Sequence, residues 1–337
     1  MFLKFRYRLG YESLCGEVAD SITWRRFCRI PLDGSVPHPT TLMKLTTRCG
    51  SAAIDGLNEA LLAKAAEAKL LRTNRIRADT TVVPANASYP TDSGLLAKAV
   101  RRIAATGKRI QAAGGAVRTR VRDRSRAAGR RAHAAKLRSR AELGRDETRA
   151  AVLRFTGELA ELAEAAAQEA QHLLDNAKQV VRRAKAKAAA LAARGERDAV
   201  AGRRRGRLVR AVNDLTELLN ATRQIVAQTR QRVAGITPDG ASRRVSLHDG
   251  DARPITKGRL GKPVEFGQKA QVVDNDDGIV LDHTVQQGNP PDAPQLAPAV
   301  ARVKKRAGRT PRTVTADRGY GEAAVDQQLT EVASRMW

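Results

Sequence analysis

Two aspartates stand where a protein could hold a divalent metal ion. Asp79 lies inside the β-branched run of IRADTTVVP, and Asp317 closes the shorter run of TVTADRGYGEAAVD. Acids are depleted in strands, so each position asks for a reason. One reason is structural: a turn or cap carboxylate beside a strand needs no metal. The other is chemical: carboxylates converging from two strands supply the oxygen ligands that Mg²⁺ or Mn²⁺ prefers. Two such ions, about 3.5 to 4 Å apart, stabilise both the attacking and the leaving oxygen when a phosphodiester is cut or transferred.

Other polar candidates are weaker. His283 shares a hairpin face with Leu281 and Val285, as a structural histidine would, and His248 in SLHDGDARP is explained by a Gly/Asp/Pro loop. Lys257, Arg259 and Lys262 are spaced by Gly and Pro ahead of that hairpin. They suit phosphate contacts that fix position without reading sequence, and equally a solvated loop. No Gly-rich phosphate cradle and no nucleophile elbow is present, so neither a nucleotide cofactor nor Ser-His-Asp chemistry is expected. Cys15, Cys28 and Cys49 lack C-x-x-C spacing, which suits reduced thiols and makes zinc improbable.

The elements that must position the two acids can be read from periodicity. Residues 1–50 hold Phe2, Phe5, Tyr7, Tyr11, Trp24 and Phe27, which predicts a small aromatic-rich core of helix, Pro-rich turn and second helix. That second helix is capped by Thr40 or Thr41 and runs through Leu42 and Leu45. An Ala/Leu-rich helix is expected over 52–71, then a strand stopped by Pro84. From Thr91-Asp92-Ser93 a helix carries Leu96, Val100 and Ile103 on one face and leads into an Ala/Arg/Lys-rich region reaching about Val233. Its part over 118–140 is too polar to bury much. Leu208, Val212, Leu215, Leu219 and Val226 mark a helix-helix seam with Thr222 at the missed position. VEFGQKAQVV and IVLDHTV alternate around DNDDG and predict a β-hairpin. A short basic helix follows, then the strand ending at Asp317 and a last helix. The sum is a mixed α/β core with an all-helical excursion.

Charge says what such a core would meet. Lys plus Arg number 61 against 35 Asp plus Glu, a net charge of +26, which favours a polyanionic partner and makes nucleic acid the first candidate. No run approaches the ~18 apolar residues of a membrane span, and MFLKFRYRLG lacks the plan of a signal peptide. A cytoplasmic, nucleoid-associated protein without membrane contact is expected.

RADTTVVPANASYPTDSGLL, KGRLGKPVEFGQKAQVV, DHTVQQGNPPDAP and TVTADRGYGEAAVD, in this order, resemble the DDE transposases of bacterial insertion sequences. The likeness spans about residues 7–329, and is to the group with a long helical insert after the first acid. It implies a ribonuclease-H-like mixed sheet core interrupted by that insertion, with an N-terminal all-helical domain. The expected boundaries are 1–72 for DNA binding or dimerisation, 73–94 for the first strand segment, 95–236 for the insertion and 237–337 for the rest of the core. By this resemblance Asp79 and Asp317 match the first two members of the acidic triad and bind Mg²⁺ or Mn²⁺. Arg318 joins Lys257, Arg259 and Lys262 as a candidate DNA contact, and Asp92 of YPTDS has helix capping as its simplest role. The implied activity is metal-dependent phosphodiester hydrolysis and strand transfer. The implied partners are double-stranded DNA, as terminal inverted repeats and target, and further copies of the chain in a homodimer or larger synaptic assembly.

The pattern departs at the third acid, a Glu expected on a later helix. Glu322, Asp326 and Glu331 are the late acids, all on the first helix after Asp317. The expectation is therefore a truncated chain that binds DNA and is inert, or nearly so, in cleavage. The alternative is a non-catalytic basic DNA-binding protein. Either way, many phosphate contacts make affinity steeply salt-dependent. A titration of duplex binding from 50 to 200 mM salt is expected to show a fall of up to ~10³ to 10⁵, and a flat response would exclude phosphate-dominated binding.

Overall fold

The structure, a computed structural model, describes residues 2–85, 89–139, 144–196, 198–256, 263–317, 320, 327, 329 and 330. Strand β1 (Arg75–Pro84) buries Ile76 and Ala78 and exposes Arg75, Arg77 and Asp79, the period-2 alternation of a strand with one covered face. It pairs antiparallel with β3 (Val264–Asn275) and parallel with β5 (Thr313–Ala316). On the far edge of β3 lie β2 (Arg253–Thr256) and β4 (Val280–Gln287), both antiparallel to it. Gly267 is registered opposite both Pro84 and Arg253. A Cβ there would stand 2.0 Å from the Val83 carbonyl oxygen, so glycine lets the end of β1 approach this closely.

The β3–β4 hairpin forms at the expected place. Which of its faces is covered differs from what hydrophobicity suggests. The buried parity of β3 carries Lys269, Gln271, Val273 and Asn275. Long-range partners make this possible: Lys269 Nζ lies 2.7 Å from Asp292 Oδ1, and Asn275 Nδ2 donates to the Arg72 carbonyl at 2.8 Å. Buried polar groups persist where such partners exist.

Helix α9 (Ala293–Ala307) packs Leu296, Val300 and Val303 onto Ile76, Ala78, Val273 and Leu281. It ends at Gly308 in the left-handed region, the usual stop for a helix. Asp282 of β4 is 1 % exposed and accepts from Arg302 Nε at 2.9 Å and Arg306 Nη1 at 2.5 Å. These charge-assisted bonds fix α9 on the sheet.

Between β1 and β2 the chain builds four helices: α5 (Asp92–Ala112), α6 (Ser125–Arg138), α7 (Arg145–Ala193) and α8 (Ala199–Val233). Their core includes Leu96, Ile103, Leu159, Leu173, Leu215, Leu219 and Ile225, and the seam positions Leu208, Val212, Thr222 and Val226 are buried as well. The polar stretch over 118–140 buries more than its composition suggests. In α6, Ala128 and Ala135 are covered, because small side chains let helices approach while the arginines stay outside. Asp92 does not cap α5; the Thr91 hydroxyl does, accepting from Gly94 N at 3.1 Å. Asp92 is instead buried, 2.9 Å from Arg232 Nη1 and 3.1 Å from Gln228 Nε2, so it ties the first turn of the excursion to its last.

The N-terminal segment comprises α1 (Phe2–Arg6), α2 (Tyr11–Asp20), α3 (Ile22–Phe27) and α4 (Pro39–Glu67). Its core is aliphatic, with Leu3, Leu14 and Val18 buried. The expected aromatic core is not formed: Phe2, Phe5, Tyr7 and Phe27 are exposed, because short helices turn these positions outward, where Phe2 meets Phe27 and Tyr7 meets Trp24. His38, rather than Thr40 or Thr41, caps α4, its ring accepting from Thr40 N. The helix continues through the position expected for a separate one, kinking at Gly50, where φ is 65°.

Removing Asp282 leaves two arginines facing the sheet without their carboxylate. Asp282→Ala is expected to cost about 3 kcal/mol, the lower end for breaking a buried ion pair, because both guanidinium groups keep some solvent contact. Urea denaturation of the variant checks this, and an unchanged midpoint would remove Asp282 as the anchor of α9.

Candidate active site

Strand register brings the segments that carry Asp79 and Asp317 to neighbouring strands. β1 and β5 run parallel with Ile76 opposite Val314 and Ala78 opposite Ala316. Each acid directly follows the last registered pair, on strands about 4.8 Å apart. Both residues are exposed, and Asp79 takes the parity opposite Ala78, which α9 covers. Asp79 Oδ1 accepts a hydrogen bond from Thr80 N at 2.7 Å, which restrains its carboxylate. Arg77, two residues earlier on the same face, is engaged by Asp274 at 2.5 Å.

Tyr320 reports on this pair from the covered side. Its backbone N–H donates to the Asp317 carbonyl at 3.1 Å, forming a turn beyond β5. Its hydroxyl accepts from Gln271 Nε2 at 3.2 Å. Burial chiefly pushes the phenol up to about 12, and although the Gln271 hydrogen bond opposes the shift, the negative charges of Asp292, Asp317 and Asp79 add to it. The proton therefore stays on Tyr320 at neutral pH.

Asp292, in the GNPPDAP loop, is a further acid near this tyrosine that the sequence did not single out. Its charge is balanced by Lys269, whose ammonium also donates to the Pro290 carbonyl at 2.8 Å. The sequence carried no signal for it: Lys269 stands on the polar parity of β3, and only its burial calls for a carboxylate from elsewhere in the fold.

Two exposed carboxylates on neighbouring segments are hard oxygen donors, the kind that suits Mg²⁺ or Mn²⁺. Among the described residues, no group of three or more His, Cys, Asp or Glu is arranged to hold a metal ion. Lys257, Arg259, Lys262, Arg318, Glu322, Asp326 and Glu331 lie outside the described residues. His283 Nε2 is 3.5 Å from Asp55 Oδ1 of α4, a tertiary contact. His248 sits against Arg102, whose Nη1 is 3.4 Å from its ring; this cation first, then burial, then Lys98, lower its basicity. Cys15 is buried while Cys28 and Cys49 are exposed, all three as free thiols. Among the described residues no helix is long and apolar enough to cross a membrane.

A transposase-domain family profile (DUF772) matches residues 1–48. This stretch holds α1, α2, α3 and the start of α4, and the match supports a transposase family for the chain. No curated protein and no solved structure matches it.

The Tyr320 environment can be checked by spectrophotometric titration. Of the 4 tyrosines, one is expected to ionise near pH 12, and Tyr320→Phe should remove that component. Asp79→Asn or Asp317→Asn removes a negative neighbour and should shift it to lower pH; a component unmoved by both would separate the carboxylates from the phenol.

Proposed function

We propose that this chain is a DNA transposase of the DDE type, built on a ribonuclease-H-like core in which Asp79 and Asp317 are two of the metal-binding carboxylates. The observation that carries this reading is the parallel register of β1 and β5, which pairs Ala78 with Ala316, the residues immediately before the two acids. The strand order β4-β3-β1-β5, with α9 crossing from β4 to β5, is compatible with that core. The match at residues 1–48 supports the transposase assignment independently.

The ions bound here, Mg²⁺ or Mn²⁺, would activate the attacking oxygen and stabilise the leaving one. The first step breaks a P–O3′ bond at the element end as a water oxygen joins phosphorus, freeing a 3′ hydroxyl. In the second, that hydroxyl displaces a 3′ oxygen in target DNA. The chain's own residues prepare the site. Thr80 N holds the Asp79 carboxylate, Lys269 neutralises Asp292, and Arg77 is occupied by Asp274. The excess of cations, +26 overall, holds duplex DNA by phosphate contact. Lys257, Arg259, Lys262 and Arg318 are proposed among those contacts, and a second copy of the chain is proposed to complete a synaptic assembly. The same charge supports a second reading, a basic protein that binds DNA without cutting it.

Mn²⁺ binding followed by electron paramagnetic resonance separates the two. Asp79→Asn and Asp317→Asn should each weaken it about tenfold or more, the loss of one charged oxygen ligand, while leaving DNA affinity in EDTA intact. Unchanged Mn²⁺ binding in both variants would leave only the non-catalytic reading.

A further inference from the structure

Beyond the end of β1, at some distance from the acids, one aromatic ring stands between two cationic clefts. Tyr89 is 77 % exposed. Its ring meets Phe266 of β3 edge-on, with centroids 5.4 Å apart and planes at 89°. That contact holds the side chain while leaving most of it open to solvent. On one side of Tyr89-Pro90-Thr91 lies a cleft of about 590 Å³ bearing Lys98, Arg101, Arg102 and His248. On the other lies a cleft of about 690 Å³ bearing His133, Lys136 and Arg243. Among the described residues lining either cleft, Asp92 is the one carboxylate, and it is buried against Arg232.

The cations are placed by the helices. Lys98, Arg101 and Arg102 sit at i, i+3 and i+4 on α5 and so share a face. Arg102 is fixed by the Leu247 carbonyl, 3.3 Å from Nη1. His248 crowds against it, 3.4 Å from the same nitrogen. A ligand here needs negative groups for both clefts and a flat apolar face between them.

We infer that Tyr89 and its flanking clefts form a binding site for an unpaired DNA strand, with a base stacked on the Tyr89 ring and neighbouring phosphates in the two clefts. A duplex fits poorly, because its bases are already stacked and turned inward, whereas an unpaired strand offers base faces and phosphates in alternation. Five strand steps lead from Asp79 to Pro84 at the end of β1, about 17 Å at the usual rise. A strand seated on Tyr89 would therefore be held within a short reach of the acid pair. The inference rests on the nucleic-acid partner proposed above, but not on metal binding or cleavage.

Binding in EDTA tests it without involving the metal site. The probes are a single-stranded oligonucleotide carrying 2-aminopurine and the matching duplex, followed by anisotropy and base fluorescence. Tyr89→Ala is expected to weaken single-strand binding about 5- to 150-fold and to lose base quenching, with duplex affinity unchanged. Tyr89→Phe keeps the ring and should keep both signals. The double variant Lys98→Ala, Arg101→Ala favours the helix and should lower single-strand affinity and flatten its salt dependence. The inference is overturned if Tyr89→Ala leaves single-strand affinity intact or weakens both probes equally, or if the double variant binds single strands as the parent does.

Discussion

The parallel register between β1 and β5 is the constraint on which the rest of the site depends. Side chains alternate faces with period 2, so a one-residue slip of β5 would send Asp317 to the α9 side of the sheet and leave Asp79 alone on the open face. Parallel neighbours cannot be joined by a tight turn and need a crossover. The last leg of that connection is α9, which crosses from β4 to β5, and its position is fixed by apolar packing on Ala78 and Val273 together with the bonds from Arg302 and Arg306 to Asp282. A buried ion triad two strands across from Ala78 thus helps to hold in place the strands that lead into the two exposed carboxylates.

A second constraint comes from the helical excursion. Residues 92–233 interrupt the sheet between β1 and β2, so their ends must meet if the strands are to pair. Asp92 and Arg232, the first and nearly the last residues of that span, are joined at 2.9 Å. Gln228 bridges Asp92 to the returning chain, donating to the Arg244 carbonyl and accepting from Arg244 N. The excursion has its own apolar core. It can therefore carry a large basic surface, and the two clefts beside Tyr89, with little demand on the sheet.

Much of the element order was legible because the signals are local. The hairpin around DNDDG, the seam from Leu208 to Val226 and the amphipathic α9 all follow from periodicities within one segment. The failures are local signals that distant groups override. Aromatic residues in the first fifty positions suggested a core, yet the segment is too small to enclose them, and Leu3, Leu14 and Val18 fill the available space. Asp92 looked like a cap because it stands at a helix start, but Thr91 fills that role and Arg232 claims the carboxylate. Lys269 and Gln271 looked like the solvent face of β3 and are buried, because Asp292 and Tyr320 meet them there.

The sequence by itself determined that Asp79 and Asp317 lie in or beside strands and that the chain is strongly cationic. These properties depend on composition and on neighbours a few residues apart. Only the tertiary structure decided that the two strands are adjacent, parallel and aligned. It alone decided that Asp292 is neutralised by Lys269, and that Tyr89 stands open between two cationic clefts. Each of these depends on pairing and packing between segments far apart in the chain, and no short-range pattern encodes which distant segment will arrive.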